Sequence, residues 1–484
     1  MFVFSLNKAL RPLLACGALL FFAPAALAAL PIQHWRQPNG AQVYLVESPG
    51  IPMVDVQIDF DAGERRDPAA KAGLASVTAA MTGNGIVACD SRRAAGQPQG
   101  ATAPSGGSEA KPNVGGYCLA LDENQLGEAW ADLGAGFGGS AGADRMSFTL
   151  RSLTEPDLLA RAVLLASRQL AEPAFPEDIW QRDRARMSAS IREANTRPAT
   201  VAGKAYSAAV YGSHPYGYDT TEGTLAAISV QDMRALVQRH LQPCRAKVSI
   251  VGAVDRARAE QLVTALLGRL PQGNGGAACA PLPSVPEVSP LPAPVVQAIP
   301  FESAQAHVLI GQPGYKRNDP DYFPLLVGNY ILGGGGFVSR LYSQVREQRG
   351  LSYSVASYFS PGLHAGAFTV GLQTRPDQAA QAVQVSRDVI ARFVAEGPTP
   401  AELQAAKDNL VGGFALRIDS NRKLLGNVAA IAWNGLALDY LDTWTQQVER
   451  VTVDQIRAAF SRKLQPERMV TVTVGAVDAP PPAR

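Results

Sequence analysis

The sequence predicts an α+β protein made of two copies of one unit. Residues 228–255, ISVQDMRALVQRHLQPCRAKVSIVGAVD, align without a gap with residues 451–478, VTVDQIRAAFSRKLQPERMVTVTVGAVD, and about half of the positions are identical. In each copy, apolar residues first recur at helical spacing, a proline breaks the pattern, and β-branched residues then alternate as in a strand. Strands and helices mixed in this way suit two halves in which helices cover an antiparallel sheet.

The N-terminus has the pattern of a signal peptide. Lys8 and Arg11 precede the apolar run LLACGALLFFAPAAL, and Ala26-Leu27-Ala28 places small residues where a signal peptidase cleaves. We therefore expect removal of residues 1–28, cleavage near Ala28 and export to a bacterial periplasm. Most of the apolar run follows Cys16, so we do not expect lipid anchoring at that cysteine. No later segment reaches the roughly twenty apolar residues of a membrane span.

The remaining chain divides at a proline- and glycine-rich stretch. We predict a first half at 29–272, an extended linker at 273–298 and a second half at 299–484. A Gly/Ser/Ala/Pro-rich insertion at about 85–117 interrupts the first half and is expected to form a surface loop. The net charge is only +2, and acidic and basic residues are interleaved, so the composition does not favour a nucleic-acid partner.

Cleavage of the signal peptide leaves four cysteines. An even number in an oxidising compartment favours disulfides, although four cysteines allow three connectivities. We expect Cys89–Cys118 and Cys244–Cys279, because each pair brackets a loop-like stretch. A metal site is the alternative, but the chain has no C-x-x-C pair and no histidine near any of the four.

The helix predicted for AGLASVTAAM, residues 72–81, has an unusual face. Ser76, Ala79 and Ala80 lie at i, i+3 and i+4 and therefore share one side of the helix. All three side chains are small. Either this face of the helix packs closely against its neighbours, or it is a catalytic face whose catalytic side chains have been replaced by small ones. The sequence of the helix does not distinguish the two.

Four glycines in the second half, Gly333–Gly336, precede another predicted helix. A phosphate-binding loop requires Gly-Lys-Ser/Thr after its glycines, whereas Phe337-Val338-Ser339 follows here. We therefore predict that the glycines allow a helix to pack closely, not that they bind a nucleotide.

The stretch NYILGGGGFVSRLYSQVREQRGLSYSV, residues 329–355, together with YGSHPYG at 211–217, resembles the pitrilysin/insulinase family of zinc peptidases. The two-half arrangement is similar to that of the subunits of mitochondrial processing peptidase. The resemblance implies two homologous halves that enclose a chamber, in agreement with the internal repeat.

The resemblance also answers the question raised by residues 72–81. In the family, the equivalent helix has a His-x-x-Glu-His motif whose histidines bind zinc and whose glutamate activates water. Ser76, Ala79 and Ala80 occupy those positions. The third ligand, a glutamate, should fall in ARMSASIREAN, where Ser188 or Ser190 is the nearest match and Glu193 is about one turn away. We therefore expect this chain to bind no zinc or other cofactor.

The chain's five histidines do not restore that motif. They are widely separated in the sequence: His34, His214, His240, His307 and His364. A zinc site rebuilt from them has little support, and an independently active metallopeptidase would require such a site. For His214, which precedes a proline, we expect a backbone-capping role.

The second half of the chain resembles the family in the other part of the active site, the part that binds the substrate. Arg346 and Tyr353 have the spacing of an arginine that holds a substrate carbonyl and a tyrosine that donates a hydrogen bond to the oxyanion. The spacing alone favours a surface ion pair for Arg346 and a packed ring for Tyr353. The signature residues around them favour a role in binding the substrate and the transition state instead. A glycine-rich stretch at 134–150 corresponds to the family's peptide-docking strand, and glycines weaken it.

These features favour a non-catalytic subunit of a periplasmic zinc-dependent peptidase. Its expected partner is a paralogue that carries the zinc motif, in a hetero-oligomer, and its expected substrate is a peptide or unfolded polypeptide. The chain would contribute to proteolysis only with that partner. The alternative is a pseudo-peptidase that acts as a peptide-binding or assembly scaffold, with a homodimer as one form.

Overall fold

The computed structural model describes residues 31–89, 118–271 and 279–476. The first half contains, in chain order, β1 (Gln33–Arg36), β2 (Gln42–Glu47), β3 (Met53–Phe60), α1 (Leu74–Met81), α2 (Glu123–Asp132), β4 (Gly136–Ala141), β5 (Met146–Leu153), α3 (Pro156–Ala171), α4 (Glu177–Ala194), α5 (Pro198–Tyr211), α6 (Glu222–Ala227), α7 (Val230–His240), β6 (Lys247–Gly252) and α8 (Arg256–Leu267).

The second half repeats this order with fewer strands. It contains β7 (Val295–Ile299), β8 (Ala306–Tyr315), α9 (Tyr322–Asn329), β9 (Val355–Phe359), β10 (Gly366–Thr374), α10 (Ala379–Glu396), α11 (Pro400–Gly412), α12 (Asn421–Asn434), α13 (Tyr440–Arg450), α14 (Val453–Lys463) and β11 (Val470–Val474). The predicted α+β class, with two sheets covered by helices, is confirmed.

The sheets have matching strand orders, β1-β2-β6-β3-β5-β4 and β7-β11-β8-β10-β9. The prediction of purely antiparallel sheets is wrong for one pair in each: β6 runs parallel to β2, and β11 runs parallel to β7. In both halves the chain crosses over through helices before its last strand enters the sheet, and such a crossover permits parallel pairing.

The internal repeat folds as predicted. In the first copy α7 leads through a 3-10 turn at Pro243–Arg245 into β6, and in the second α14 leads through Pro466–Arg468 into β11. Ser229 and Thr452 begin the two helices with the same capping box, in which the hydroxyl accepts the N–H three residues later. Both strands are buried between two neighbours, so the repeat supplies an interior strand of each sheet.

Helix α5 of the first half packs on the second sheet, against β8 and β11. Tyr206 donates a hydrogen bond from its buried hydroxyl to the Phe368 carbonyl at 2.7 Å, and the Tyr211 hydroxyl accepts the Ala367 N–H at 2.9 Å. Gly311 makes room for this contact, because a Cβ there would lie 2.2 Å from the Tyr206 hydroxyl. The second sheet therefore depends on a helix from the other half.

Helix α12 of the second half packs in return on β3 and β6 of the first sheet. Lys247 Nζ donates to the carbonyls of Ala432 and Trp433, and Arg145 Nη1 donates to that of Ala429. Both cations also lie over the Trp433 ring, at 5.5 and 5.7 Å from its centroid. Positive charge at the C-terminal end of a helix is electrostatically favourable.

Two loop predictions need correction. The start of the predicted 85–117 insertion is packed, because Ile86 is buried and bridges to Leu121 and Pro173, whereas Val87 is 45% exposed; residues 90–117 lie outside the described residues. The predicted linker ends too late, because β7 begins at Val295 and pairs with β11. Residues 279–294 form an extended segment, which we call the strap.

The described cysteines form one disulfide, Cys244–Cys279, at the start of the strap. The structure does not join the other predicted pair: Cys89 and Cys118 are free thiols, and the Cys89 sulfur accepts a hydrogen bond from Arg269. Their backbones are adjacent, with the Cys89 N–H 3.0 Å from the Cys118 carbonyl, so a second disulfide stays a prediction. Within the described ranges, no helix is long and apolar enough to cross a membrane.

We predict that Tyr206→Phe lowers the free energy of unfolding by about 1–3 kcal/mol, because it removes a buried hydroxyl that two groups of β10 contact. Urea denaturation measures the change. Tyr218→Phe is the matched control, since that ring is partly exposed. Equal losses for the two variants would show that the Tyr206 hydroxyl does not stabilise the contact between the halves.

Candidate functional site

The three motif positions on α1 have different surroundings. Ala79 is fully buried, Ser76 is half-buried, and Ala80 is exposed. The Ser76 hydroxyl donates a 2.5 Å hydrogen bond to Glu64 Oε1. Ser76 has the only polar side chain of the three, and this hydrogen bond already uses it. None of these side chains fits the role of a zinc ligand or of a general base.

Buried Asp67 fixes the N-terminal end of α1. Its carboxylate accepts the backbone N–H groups of Gly73 and Ala75, at 3.0 and 3.1 Å. Burial raises the pKa of Asp67 to about 7, although these hydrogen bonds oppose the rise. The group that holds α1 in place therefore titrates near neutral pH.

Strand β4 lies directly against α1. Gly139 approaches so closely that a Cβ there would be 2.8 Å from the Ala79 carbonyl oxygen. Strand β4 is also the edge of the first sheet, and its residues alternate between exposed and half-buried. Ala79 itself is fully buried, so a longer side chain at this position would have to displace packed neighbours.

Helix α4 contains the positions expected for the third ligand. Its Glu193 forms an ion pair with Arg197, and Ser188 and Ser190 lie on its accessible surface. A carboxylate that sequence reasoning missed, Asp183 on the same helix, accepts a hydrogen bond at its Oδ2 from Asn84, three residues beyond the end of α1, at 3.3 Å. Across the described ranges, no three His, Cys, Asp or Glu side chains converge in a way that would hold a metal ion.

The signature of the second half adopts irregular helical turns. Two π-helical segments, Tyr330–Gly334 and Tyr342–Glu347, flank a 3-10 turn at Gly336–Val338. Gly333 lies against β9, where a Cβ would be 2.5 Å from the Ser357 hydroxyl. This contact confirms the predicted role of the glycines in close packing. Single π-helical turns occur frequently at functional sites.

Arg340 fixes this segment to the start of α11. It forms a bidentate ion pair with Glu402, with both N–O distances at 2.7 Å, and donates to the Gly397 carbonyl. Burial raises the pKa of Glu402, but hydrogen bonds from Arg340 and Thr399 outweigh it and hold the pKa at about 2. The carboxylate is therefore charged at all moderate pH values.

The structure brings Arg346 and Tyr353 together. The guanidinium carbon of Arg346 lies 4.6 Å from the centre of the Tyr353 ring, 4.7 Å from that of Tyr342 and 5.9 Å from that of Phe337. The Tyr353 side chain is 80% exposed. Neither polar end group has a hydrogen-bond acceptor among the residues that the structure describes, so both can donate to a bound molecule.

Sequence reasoning missed the apolar surface beside this pair. Phe337 and Val338 are 72% and 75% exposed on the 3-10 turn, and Phe337 packs edge-on against Tyr342 at 4.9 Å. Two large apolar residues directly after a run of glycines were the available signal. Large exposed apolar patches mark interaction surfaces.

Comparisons with known proteins identify the family and the fold. The family described as the peptidase M16 inactive domain matches residues 227–410. The crystal structure of a peptidase M16 inactive domain from Pseudomonas fluorescens is 31% identical, with a TM-score of 0.81, and the match covers 94% of this chain and 100% of that chain.

Curated relatives match over shorter regions. An uncharacterised zinc protease of Mycobacterium leprae is 31% identical over 265 residues, which are 54% of this chain and 58% of that protein. A non-peptidase homologue of Helicobacter pylori, YmxG, is 32% identical over 160 residues, 32% of this chain and 36% of that protein. The chain spans about half the length of the first curated relatives that it matches.

We predict that Ala79→Glu destabilises the protein by at least about 3 kcal/mol, because it buries an unpaired carboxylate against β4. The control Ala80→Glu places the same side chain one residue later, on the exposed face, and should change stability by less than about 0.5 kcal/mol. Chemical denaturation at neutral pH measures both. Similar stability for the two variants would mean that the motif face is open.

We also predict that Glu402→Gln costs about 1–2 kcal/mol at neutral pH, because it removes a charged partner of Arg340. The folded-state pKa of Glu402 is depressed, so this stabilisation is complete above the ordinary pKa of 4.5 and is lost as the pH falls towards 2. Thermal unfolding from neutral to acidic pH should show the gap between wild type and variant closing. A stability difference between wild type and Glu402→Gln that stays constant with pH would contradict the prediction. The control is Asp377→Asn, which removes one partner of an exposed ion pair.

Proposed function

Because the chain belongs to the peptidase M16 family, we propose that it is a non-catalytic subunit of a zinc-dependent peptidase. The chain supplies Arg346 and Tyr353 to an active site whose zinc ligands and catalytic glutamate belong to a partner chain. One observation carries the proposal: Arg346 lies among three aromatic rings, one of which is the exposed Tyr353, and both residues have donors that no described residue occupies.

The first half supports a division of labour between two chains. Ser76, Ala79 and Ala80 stand at all three positions of the zinc motif, and the middle one, Ala79, is fully buried. Restoring peptidase activity in this chain would require both new metal-ligating side chains on α1 and new space around them. A partner with an intact motif supplies both without any change in this chain.

The retained pair has a defined chemical role in such a site. The Tyr353 hydroxyl donates a hydrogen bond to the oxygen of the scissile carbonyl as negative charge develops on it, and the Arg346 N–H groups bind a neighbouring carbonyl of the peptide. Donors placed at a developing oxyanion are worth about 10²–10³ in rate when water is excluded. Water activation depends on the partner's zinc.

The partner is then a paralogous chain with the His-x-x-Glu-His motif, in a hetero-oligomer, and the substrate is a peptide or an unfolded segment of polypeptide. Export to a periplasm is part of the proposal and rests on the N-terminal pattern of two basic residues, an apolar run and Ala26-Leu27-Ala28.

A second candidate is a peptide-binding scaffold without proteolysis. The observation that favours it is the free edge of β4, a six-residue strand without any charge or proline to protect it. An extended peptide adds to such an edge through backbone hydrogen bonds. The relative from Helicobacter pylori is likewise named a non-peptidase homologue.

We predict that the purified mature chain does not hydrolyse peptides alone and stimulates hydrolysis by a zinc-motif paralogue from the same genome. In the mixture, Tyr353→Phe should lower kcat about a hundredfold, because it removes one oxyanion donor. Tyr358→Phe is the control, since this tyrosine is half-exposed on the adjacent β9. Peptide turnover with each variant, at equal amounts of assembled complex, provides the measurement.

Two outcomes would count against the subunit proposal. Stimulation that survives both Tyr353→Phe and Arg346→Met would mean that the chain acts as a wall or scaffold only. If the chain binds peptides alone, does not alter hydrolysis by the paralogue and tolerates Arg346→Met, the scaffold function is correct.

A further inference from the structure

The charge of Arg346 is not balanced by any acidic group that the structure describes. The residue is half-buried beside three aromatic rings, and none of its guanidinium N–H groups has a hydrogen-bond acceptor within the described ranges. Glu347, the next residue, is exposed and forms no described ion pair with it. Arg340, earlier in the same signature, differs because both oxygens of Glu402 accept hydrogen bonds from its guanidinium. Arg340 therefore fastens the segment, whereas Arg346 keeps its charge and its donors free.

Aromatic rings hold this guanidinium in place of an acidic partner. Its carbon lies 4.7 Å from the centre of the Tyr342 ring and 4.6 Å from that of Tyr353. Tyr342 is only 8% exposed, and the Phe337 ring packs edge-on against it at 4.9 Å. A cation is attracted to the face of a ring by the ring's quadrupole, and this attraction leaves the charge of the cation uncancelled. The rings thus position Arg346 and keep it able to bind an anion.

A carbonyl of the bound peptide does not satisfy this guanidinium by itself. Arginine has five N–H donors, whereas a carbonyl oxygen has two lone pairs and no charge. In the proposed function a partner chain covers the site, so the remaining donors and the positive charge lose their water. Burying an unpaired charge is costly, but a carboxylate that accepts two parallel N–H bonds compensates it. The assembled site therefore needs an anion at Arg346 in addition to the carbonyl.

The substrate is the molecule that can bring this anion to Arg346. The guanidinium carbon lies within 5 Å of the Tyr353 ring centre, at 4.6 Å, and consecutive residues of an extended peptide are about 3.3–3.6 Å apart. A peptide whose scissile carbonyl lies at the Tyr353 hydroxyl therefore passes Arg346 within a few residues of the cleaved bond. An acidic group in that part of the peptide reaches the free donors.

We propose that the substrates of this site are peptides with a carboxylate within a few residues of the scissile bond, and that Arg346 binds this carboxylate. The inference rests on the proposed function and adds the substrate class to it. The carboxylate belongs either to an Asp or Glu side chain or to the C-terminus of the peptide, because both present the same pair of oxygens. The contact is made in the ground state and in the transition state alike, so it lowers KM and leaves kcat unchanged.

Peptide turnover by the mature chain mixed with the zinc-motif paralogue tests this inference. A neutral parent peptide with an amidated C-terminus is compared with two kinds of derivative. In the first, Glu replaces Gln at one position near the cleaved bond, and in the second, a shortened peptide ends near that bond in a free carboxylate or in an amide. We expect one kind to have a KM about tenfold below that of its neutral counterpart, because charge-assisted bidentate hydrogen bonds are stronger than neutral ones. The kind that gains identifies the source of the carboxylate.

Variants of this chain assign the preference to one side chain. Arg346→Met should abolish it, and Arg346→Lys, which keeps the charge without the planar fork, should retain part of it. Tyr353→Phe should lower kcat for all peptides and leave the preference intact. Arg349→Met is the matched control, because Arg349 belongs to the same signature but donates to Gln344, and it should leave the preference unchanged.

The outcomes separate this inference from the proposed function. Hydrolysis with equal KM for acidic and neutral peptides, or a preference that persists in Arg346→Met, would overturn the inference and leave the proposed function standing. An equal loss for both kinds of peptide in Arg346→Met would mean that the partner chain supplies the anion, which also overturns it. If the mixture hydrolyses no peptide, the proposed function is wrong and the inference is wrong with it.

Discussion

The fold depends on the reciprocal exchange of two helices between its halves. Helix α5 places the Tyr206 hydroxyl on the backbone of β10, and α12 places its last carbonyls against Lys247 and Arg145 of the first sheet. Separating the halves would exchange these hydrogen bonds for hydrogen bonds to water and would expose the apolar cluster that α5 forms with the second sheet. The halves therefore form one body, and the strap is a secondary connection between them.

This constraint explains why a chain without a zinc motif still folds as a complete unit. Ala79 is fully buried on α1, and Gly139 of β4 approaches its carbonyl oxygen so closely that a Cβ at position 139 would lie 2.8 Å away. A strand that must lie close to a helix backbone tolerates little side-chain volume on that face, and glycine meets this need at the cost of a weaker strand.

The sequence predicted the features that depend on local pattern. The repeat identified the helix, turn and strand at the centre of each sheet, because capping residues and alternating β-branched residues act over a few positions. The exchange of α5 and α12 was not predictable, because a helical pattern shows that a face is buried but not which sheet buries it. Ile86, a buried residue in a glycine-rich stretch, and β7, at the end of a proline-rich one, were missed because the composition of both stretches is typical of loops. The pairing of Arg346 with Tyr353 came from the resemblance; the structure added the three rings around the guanidinium.

The exposure of Tyr353 determines how the retained pair can work. A donor that is 80% exposed competes with water for any carbonyl and stabilises a developing charge weakly, because water screens the interaction. The same donor becomes strong once a second surface removes that water. Phe337 and Val338, also exposed, provide apolar area beside the pair for such a surface to cover. Under the proposed function, Arg346 and Tyr353 would therefore gain their catalytic value only on assembly with the chain that holds the metal.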